Sequence, residues 1–279
     1  MALPQVFHRQ VEVDGVRVFY REAGPVDAPT LLLLHGFPTT SHQFRRLIDA
    51  LGTRYHLLAP DYPGFGHSAD LDRHTFDRLA DVVEGFVRAL GPTRFALYAF
   101  DYGGPVGFRV ATRHPEWITG LVVQNANAYE EGLSDDARQF IANRDPEVAR
   151  GLLTLPFTRA QYESGTADPT LVDPGNWTLD QLLVELPGRA DVQVELALDY
   201  HSNVARYPEW QEWLRTHRPP TLITWGRNDG FFTEAGAKAY LRDVPNAELH
   251  LFDTGHFALE EHVTEIAPLI ADFLDRLPA

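Results

Sequence analysis

Short, nearly continuous apolar runs recur along the chain and alternate with amphipathic stretches. The runs are Thr30–Leu34, His56–Ala59, Phe95–Phe100, Gly120–Val123, Thr221–Trp225 and Glu248–Phe252. Strands this short and this apolar are typical of a parallel sheet covered on both faces. Between them lie the helical patterns Phe76–Leu90, Gly104–Arg113, Glu234–Leu241 and Val263–Leu277. The alternation predicts right-handed βαβ crossovers and a mostly parallel, doubly wound α/β sheet.

Two segments depart from this alternation. The first reads as an antiparallel hairpin with strands Val6–Val13 and Val16–Arg21, joined at an Asp-Gly turn. The second, residues 127–217, contains several amphipathic helical stretches and no clear sheet strand. A helical insertion between two strands would cover their carboxyl ends. We therefore expect an α/β core of residues 1–126 and 218–279, with a helical cap over residues 127–217.

The amino-acid composition excludes several classes of function. The 279 residues are 44% hydrophobic and 23% charged, which is ordinary for a globular protein. A net charge of −15 disfavours nucleic acid and anionic membranes as partners. The chain has no cysteine, which excludes disulfides and thiol catalysis, and no apolar run is long enough to cross a bilayer. We expect a soluble, cytoplasmic protein.

The strongest candidate for chemistry is Asp101, in the sequence Phe-Asp-Tyr-Gly-Gly between a predicted strand and a predicted helix. This context is typical of a nucleophile elbow, a sharp turn that projects one side chain above the sheet. The alternative is that Asp101 only caps the helix, as aspartate often does. A carboxylate that attacks a saturated carbon forms an ester, which water can cleave, whereas serine would form a stable ether. Asp101 therefore indicates displacement at carbon, not acyl transfer.

Asp229 and His256 each follow a predicted strand and lie 27 residues apart, one βαβ unit (256 − 229 = 27). Either residue alone is better explained as a turn or cap. The order Asp101, Asp229, His256, with each residue just past a strand end, matches nucleophile, acid and base. Asp229 would orient the imidazole and stabilise its charged form, and His256 would deprotonate the hydrolytic water.

A candidate oxyanion site follows the strand Thr30–Leu34, in the sequence His-Gly-Phe-Pro at residues 35–38. The backbone N–H groups of Phe37 and Tyr102 could stabilise the oxyanion that forms when water attacks the ester. His35 is interpreted as a structural hydrogen-bonding residue, and His67 is assigned no chemistry.

With these motifs, the chain resembles the α/β-hydrolase superfamily outside the insertion. His-Gly-Phe-Pro at 35–38, Asp101 at the elbow, and Asp229 with His256 resemble the epoxide hydrolase branch. That resemblance implies a covalent aspartyl ester, no cofactor and no metal. It also implies two cap tyrosines that hydrogen-bond the epoxide oxygen. Tyr200 is the better candidate for that role.

Tyr162 is the weaker candidate for the second tyrosine, and Tyr129 and Tyr207 remain alternatives. The binding partners implied are a small apolar substrate and water, and a homodimer is compatible with the sequence. Haloalkane dehalogenases share the same nucleophile, histidine and oxyanion site, but they usually hold the halide with tryptophan and asparagine where this chain has Tyr102 and Phe37. A ligand-binding relative without turnover is a further alternative.

Overall fold

The computed structural model describes residues 3–278, and within them the chain forms one eight-stranded sheet with helices on both faces. The strands are β1 Val6–Val13, β2 Val16–Ala23, β3 Thr30–Leu34, β4 His56–Pro60, β5 Phe95–Phe100, β6 Ile118–Gln124, β7 Thr221–Gly226 and β8 Glu248–Phe252. Their order is β1-β2-β4-β3-β5-β6-β7-β8. The hairpin β1–β2 is antiparallel and joins β4 antiparallel, whereas β4 to β8 pair in parallel. The predicted α/β-hydrolase fold is confirmed.

The helices of the sheet-containing part are α1 Arg45–Leu51, α2 Phe76–Leu90, α3 Gly103–Arg113, α10 Glu234–Asp243 and α11 Ala258–Asp275. Helix α1 was not among the predicted helices. The last helix begins five residues before its predicted start at Val263, directly after the loop that carries His256. His262 has a non-helical backbone within it, which breaks the amphipathic pattern that sequence analysis relies on.

Between β6 and β7 the described chain contains six α-helices and no strand of the sheet. They are α4 Asp135–Ala142, α5 Pro146–Gly151, α6 Leu155–Glu163, α7 Pro174–Val184, α8 Arg189–Asp199 and α9 His201–His217. Buried Arg109 of α3 ties this helical segment to the rest, since its guanidinium donates to Asn203 at 2.7 Å and pairs with Asp77 at 2.6 Å. No helix within residues 3–278 is long and apolar enough to span a membrane.

The central strands are buried because helices cover both of their faces. All six residues of β5 are buried, as are those of β4 and β7. A buried parallel strand has no polar face, which explains the unbroken apolar runs. The loops at the carboxyl ends of β3, β5, β7 and β8 carry Phe37, Asp101, Asp229 and His256. Parallel pairing brings these loops to one edge of the sheet, where α/β folds bind ligands.

Candidate active site

Asp101 occupies the turn between β5 and α3 with a left-handed backbone, at φ 48°. Such a conformation is uncommon for a residue with a side chain and is often kept at functional sites. The turn is tight, since a Cβ on Gly103 would lie 2.1 Å from the backbone oxygen of Leu34. Only glycine therefore fits at residue 103, and the turn holds the Asp101 side chain at the sheet edge.

Two backbone N–H groups contact the Asp101 carboxylate. The N–H of Phe37 donates to Oδ1 at 2.7 Å, and the N–H of Tyr102 also acts on this carboxylate, since it opposes the rise of the Asp101 pKa. These are the two donors predicted from the sequence. They occupy the position needed to stabilise negative charge on this oxygen when water attacks the carboxyl carbon.

His256 lies between the two aspartates. Its Nδ1 is 2.6 Å from Oδ2 of Asp229, and its Nε2 is 3.7 Å from Oδ2 of Asp101. Hydrogen bonding to Asp229 favours a proton on Nδ1 and leaves Nε2 free to accept a proton from water. All three side chains are buried. The structure thus brings together the three residues that the sequence predicted to act together.

Asn125 is a part of the site that the sequence analysis missed. It follows β6 with a left-handed backbone at φ 43°, and its Nδ2 donates to Oδ2 of Asp229 at 2.8 Å. The other carboxylate oxygen, Oδ1, accepts from the N–H groups of Phe231 at 2.8 Å and Phe232 at 3.1 Å. Four donors, with His256, therefore fix one carboxylate. Its position in the sequence could have identified it, because Asn125, like Asp101 and Asp229, lies just past the end of a strand at this edge of the sheet.

For both Asp101 and His256, burial and the nearby charges shift the pKa in opposite directions. Burial raises the pKa of Asp101 above its usual value, although the nearby His256 charge and the N–H groups of Phe37 and Tyr102 oppose that shift. Burial by itself lowers the pKa of His256, but the charges of Asp229 and Asp101 outweigh it and raise the pKa above 6.5. The pKa of each group therefore depends on the charge of the other.

A small cavity opens beside Asp101 and His256. The helices of residues 127–217 form much of its wall, and the wall is mostly apolar. The lining residues are Phe37, Asp101, Tyr102, Ala137, Phe140, Ile141, Ala149, Leu152, Leu153, Phe157, Gln161, Gln193, Ala197, Tyr200, Phe231, Phe232 and His256. Such a mixture of apolar walls and few polar groups is typical of a small-molecule site.

Tyr200 lines this cavity, as its predicted role requires. Its ring centroid lies 6.0 Å from that of Tyr102. Burial, with the nearby Tyr207 and Asp101, raises the pKa of Tyr200 well above its usual value. The hydroxyl therefore keeps its proton at neutral pH and can donate a hydrogen bond.

Tyr162 does not line the cavity, which corrects the prediction that it shares a proton-donor role with Tyr200. Its hydroxyl donates to Asp180 at 2.5 Å, and its ring stacks on Phe257 with centroids 3.9 Å apart. The preceding residue, Gln161, lines the cavity instead. Adjacent side chains on a helix point about 100° apart, so one residue decides which side chain faces the substrate.

The remaining candidates lie away from the cavity. The hydroxyl of Tyr129 donates to Asp243 at 2.7 Å, and the hydroxyl of Tyr207 accepts from Nδ2 of Asn127 at 3.2 Å. His35 is fully buried, its Nε2 accepts from the N–H of Tyr62, and burial lowers its pKa to about 4. A histidine that stays neutral and bonds to the backbone fits the structural interpretation.

Comparison with known proteins places the chain in a family. The α/β hydrolase fold family matches residues 29–263. An uncharacterized hydrolase of Saccharomyces cerevisiae is 44% identical over 275 residues, which are 94% of each chain. Epoxide hydrolase 3 of Xenopus tropicalis is 26% identical and covers 94% of this chain and 75% of its own length.

Among solved structures, the haloalkane dehalogenase DbeA of Bradyrhizobium elkani superposes with a TM-score of 0.81 over 97% of this chain and 98% of that one. Its sequence identity is 21%, so this likeness concerns the fold alone. The family match covers most of the chain and agrees with the eight-stranded sheet and with the order of the strand-end loops. The chain therefore belongs to the α/β-hydrolase family and is a hydrolase.

Proposed function

We propose that the protein hydrolyses small epoxides to vicinal diols through an ester on Asp101. The observation that carries this proposal is the position of one carboxylate. Oδ1 of Asp101 accepts from the N–H of Phe37, Oδ2 lies 3.7 Å from the base His256, and Tyr200 lines the cavity beside them. The relative named epoxide hydrolase 3 supports the same chemistry.

In the first step, Oδ2 of Asp101 attacks an epoxide carbon and the carbon–oxygen bond of the ring breaks. The released oxygen takes a proton from Tyr200, which leaves a hydroxyl on the substrate and an ester on the enzyme. Alkoxide is a poor leaving group near neutral pH, so a donor at this position accelerates ring opening. The pKa of Tyr200 is raised, so the hydroxyl is protonated when the substrate binds.

In the second step, Nε2 of His256 takes a proton from water, and the resulting hydroxide attacks the carboxyl carbon of Asp101. The N–H groups of Phe37 and Tyr102 stabilise the oxyanion. When the ester bond breaks, one proton of the water ends on the second hydroxyl of the diol, and the other restores Tyr200. Asp229 stabilises the imidazolium that exists between these events.

Dehalogenation through the same ester is the second candidate, because halide leaves a saturated carbon in the same displacement. A relative named haloalkane dehalogenase, from Bradyrhizobium diazoefficiens and 37% identical over 40% of this chain, supports it. Against it, none of the five tryptophans lines the cavity to donate an indole N–H to a halide. The donor beside Asp101 is a tyrosine hydroxyl, which is better suited to an oxygen that needs a proton.

The test is to trap the ester. His256→Gln should form it and fail to hydrolyse it, because only the second step needs a base. Intact-protein mass spectrometry after exposure to a panel of epoxides and haloalkanes would show the adduct and its mass, and peptide mapping would locate it on Asp101. His217→Gln, at an exposed histidine, is the matched control and should turn over like the wild type.

The outcomes separate the candidates. An epoxide-derived adduct on Asp101 supports the proposal, and an adduct formed only with haloalkanes favours the dehalogenase. Absence of any adduct, on a substrate that the wild type turns over, would contradict the ester mechanism. Ligand binding without turnover in the wild type would indicate a binding protein.

A further inference from the structure

Two buried glutamines line the cavity without using their amide groups. Gln161 belongs to α6 and is 8% exposed, and Gln193 belongs to α8 and is 2% exposed. Nε2 of Gln161 and Oε1 of Gln193 are buried with no hydrogen-bond partner within residues 3–278. Buried polar groups in proteins nearly always have a partner, because an unpaired one loses its hydration without compensation.

Other buried amides of the chain also have an unpaired atom, but most of those use the second atom in a bond. Oε1 of Gln43 accepts from Thr39, Oε1 of Gln124 accepts from Tyr98, and Oδ1 of Asn203 accepts from Arg109. Asn176 also has both amide atoms unpaired but does not line the cavity, whereas Gln161 and Gln193 form no side-chain hydrogen bond in the described chain and both line one cavity. A bound ligand would supply the missing partners.

Gln193 lies on the same wall element as Tyr200, namely α8 and its end, whereas Gln161 lies on α6. Gln193, Ala197 and Tyr200 all line the cavity and are spaced four and three residues apart, so they share one face of α8 and its end. Seven residues of helix separate the backbones of Gln193 and Tyr200 by about 10 Å. A ligand group at the amide of Gln193 would therefore be a different part of the ligand from the group at Tyr200.

The charged residues that line the cavity restrict the chemistry of the ligand group near Gln193. No arginine or lysine is among the lining residues, and the one cationic candidate, His256, already pairs with Asp229 beside Asp101, so an anionic substrate group near the glutamines would have no counterion of its own. An amide offers an N–H donor and a C=O acceptor but no charge. A hydroxyl is the smallest neutral group that can accept from one amide and donate to another.

We propose that Gln161 and Gln193 form a polar subsite that selects neutral substrates with a hydroxyl group away from the epoxide ring. This inference rests on the proposed function and names its substrate class: hydroxy-epoxides, not plain alkyl or carboxylate-bearing ones. The ring lies at Asp101 and Tyr200, and the hydroxyl pairs with the two amides that are otherwise unpartnered.

The test compares matched pairs of epoxides in which a terminal hydroxyl replaces a terminal methyl. Glycidol and butylene oxide form the shortest pair, and longer homologues of both cover the span between Tyr200 and Gln193. The ratio of kcat/KM for the hydroxyl member to that for the methyl member is measured for the wild type, Gln161→Leu and Gln193→Leu. Gln139→Leu, on α4 but exposed and outside the cavity, is the matched control.

At the best chain length, each cavity variant should lower this ratio about five- to tenfold, the loss typical of one hydrogen bond. The methyl member should be turned over as well as before, and Gln139→Leu should leave the ratio unchanged. Tm should not fall in the two variants, because leucine removes an amide that has no partner. A ratio that stays within twofold of the wild type in both variants, at every length, overturns the subsite.

A failure of the proposed function can be distinguished from a failure of the subsite. If the wild type turns over no epoxide and forms no ester, the epoxide chemistry is wrong, and the subsite is then measured by binding. Butanediol should raise the Tm of the wild type more than pentanol does, and this difference should vanish in Gln161→Leu and Gln193→Leu. Equal stabilisation by both ligands in the wild type would overturn the subsite as well.

Discussion

The backbone of Gly36 lies directly against the side chain of Asp101: a Cβ at residue 36 would lie 2.3 Å from both Cβ and Oδ1 of Asp101. No side chain fits in that space. Gly36 therefore sets the distance between the loop that carries the Phe37 N–H and the carboxylate that accepts it.

Gly36→Ala should impair the site more than it impairs the fold. The added methyl must push Asp101 away from the Phe37 N–H, so we expect hydrolysis of the ester to slow about 10²-fold, the cost of losing one preorganised oxyanion donor. Overpacking should lower the free energy of unfolding by about 1–3 kcal/mol. Single-turnover kinetics and chemical denaturation measure the two effects. Gly151→Ala, where a Cβ meets no atom within 4 Å, is the control, and an equal loss of activity there would contradict this explanation.

Asp229→Asn should separate the two chemical steps. Hydrolysis of the ester should slow about 10²–10⁴-fold because an amide cannot stabilise the imidazolium as a carboxylate does. Ester formation should stay within about tenfold, since it does not use the base. Rapid-quench mass spectrometry of the ester would record both rates. Loss of the initial burst as well would mean that Asp229 also holds Asp101 in place.

Asn125→Ala should act in the same direction through Asp229. It removes one donor at 2.8 Å from Oδ2, the oxygen that also accepts from His256. A carboxylate with one donor fewer is freer to rotate, so the hydrolysis rate should fall about tenfold with ester formation unchanged. The double variant with Asp229→Asn should be less than additive. Full additivity in the hydrolysis rate would contradict action through Asp229.

The two steps should depend on pH in different ways. Ester formation needs ionised Asp101, whose pKa is raised by burial, so its rate should fall with acid at a higher pH than an ordinary aspartate would require. Hydrolysis needs neutral His256, whose pKa is raised by Asp229 and Asp101. Esterification removes the charge of Asp101 and so lowers the pKa of His256, which favours the neutral base at the step that uses it.

As the pH falls through the pKa of His256 in the ester, the wild type should accumulate the adduct. Mass spectrometry of enzyme quenched during turnover at a series of pH values checks this. An adduct fraction that does not rise with acid, while turnover declines, would show that ester formation and not hydrolysis limits the rate there.

Tyr200→Phe should slow ester formation with epoxides about 10²–10⁴-fold, because the released oxygen loses its proton donor. A haloalkane should be affected far less, since halide leaves without a proton. Tyr162→Phe is the matched comparison and should alkylate like the wild type, because its hydroxyl pairs with Asp180 outside the cavity. Single-turnover alkylation by one epoxide and one haloalkane measures all three enzymes. The assignment of Tyr200 fails if its variant keeps the wild-type rate with epoxides.

The sheet and the grouping of the candidate catalytic residues could be predicted from the sequence. Buried parallel strands leave unbroken apolar runs, and residues just past those runs must meet at one edge, so Asp101, Asp229 and His256 could be placed together before any coordinates existed. The backbone donors of Phe37 and Tyr102 followed from the same rule, because each is adjacent to a strand end. In these cases position along the chain fixes position in space.

The side chains of the helical segment that face the cavity could not be predicted from the sequence, because tertiary packing selects them. Gln161 lines it and Tyr162 does not, although the two are neighbours on α6. A rotation of a helix by one residue exchanges such neighbours, and that rotation is set by packing against other helices, here by Tyr162 stacking on Phe257 and pairing with Asp180. The support that Asn125 gives to Asp229 likewise depends on a contact across 104 residues of chain. Neither relationship is encoded in a local pattern, because each exists only after distant elements have packed.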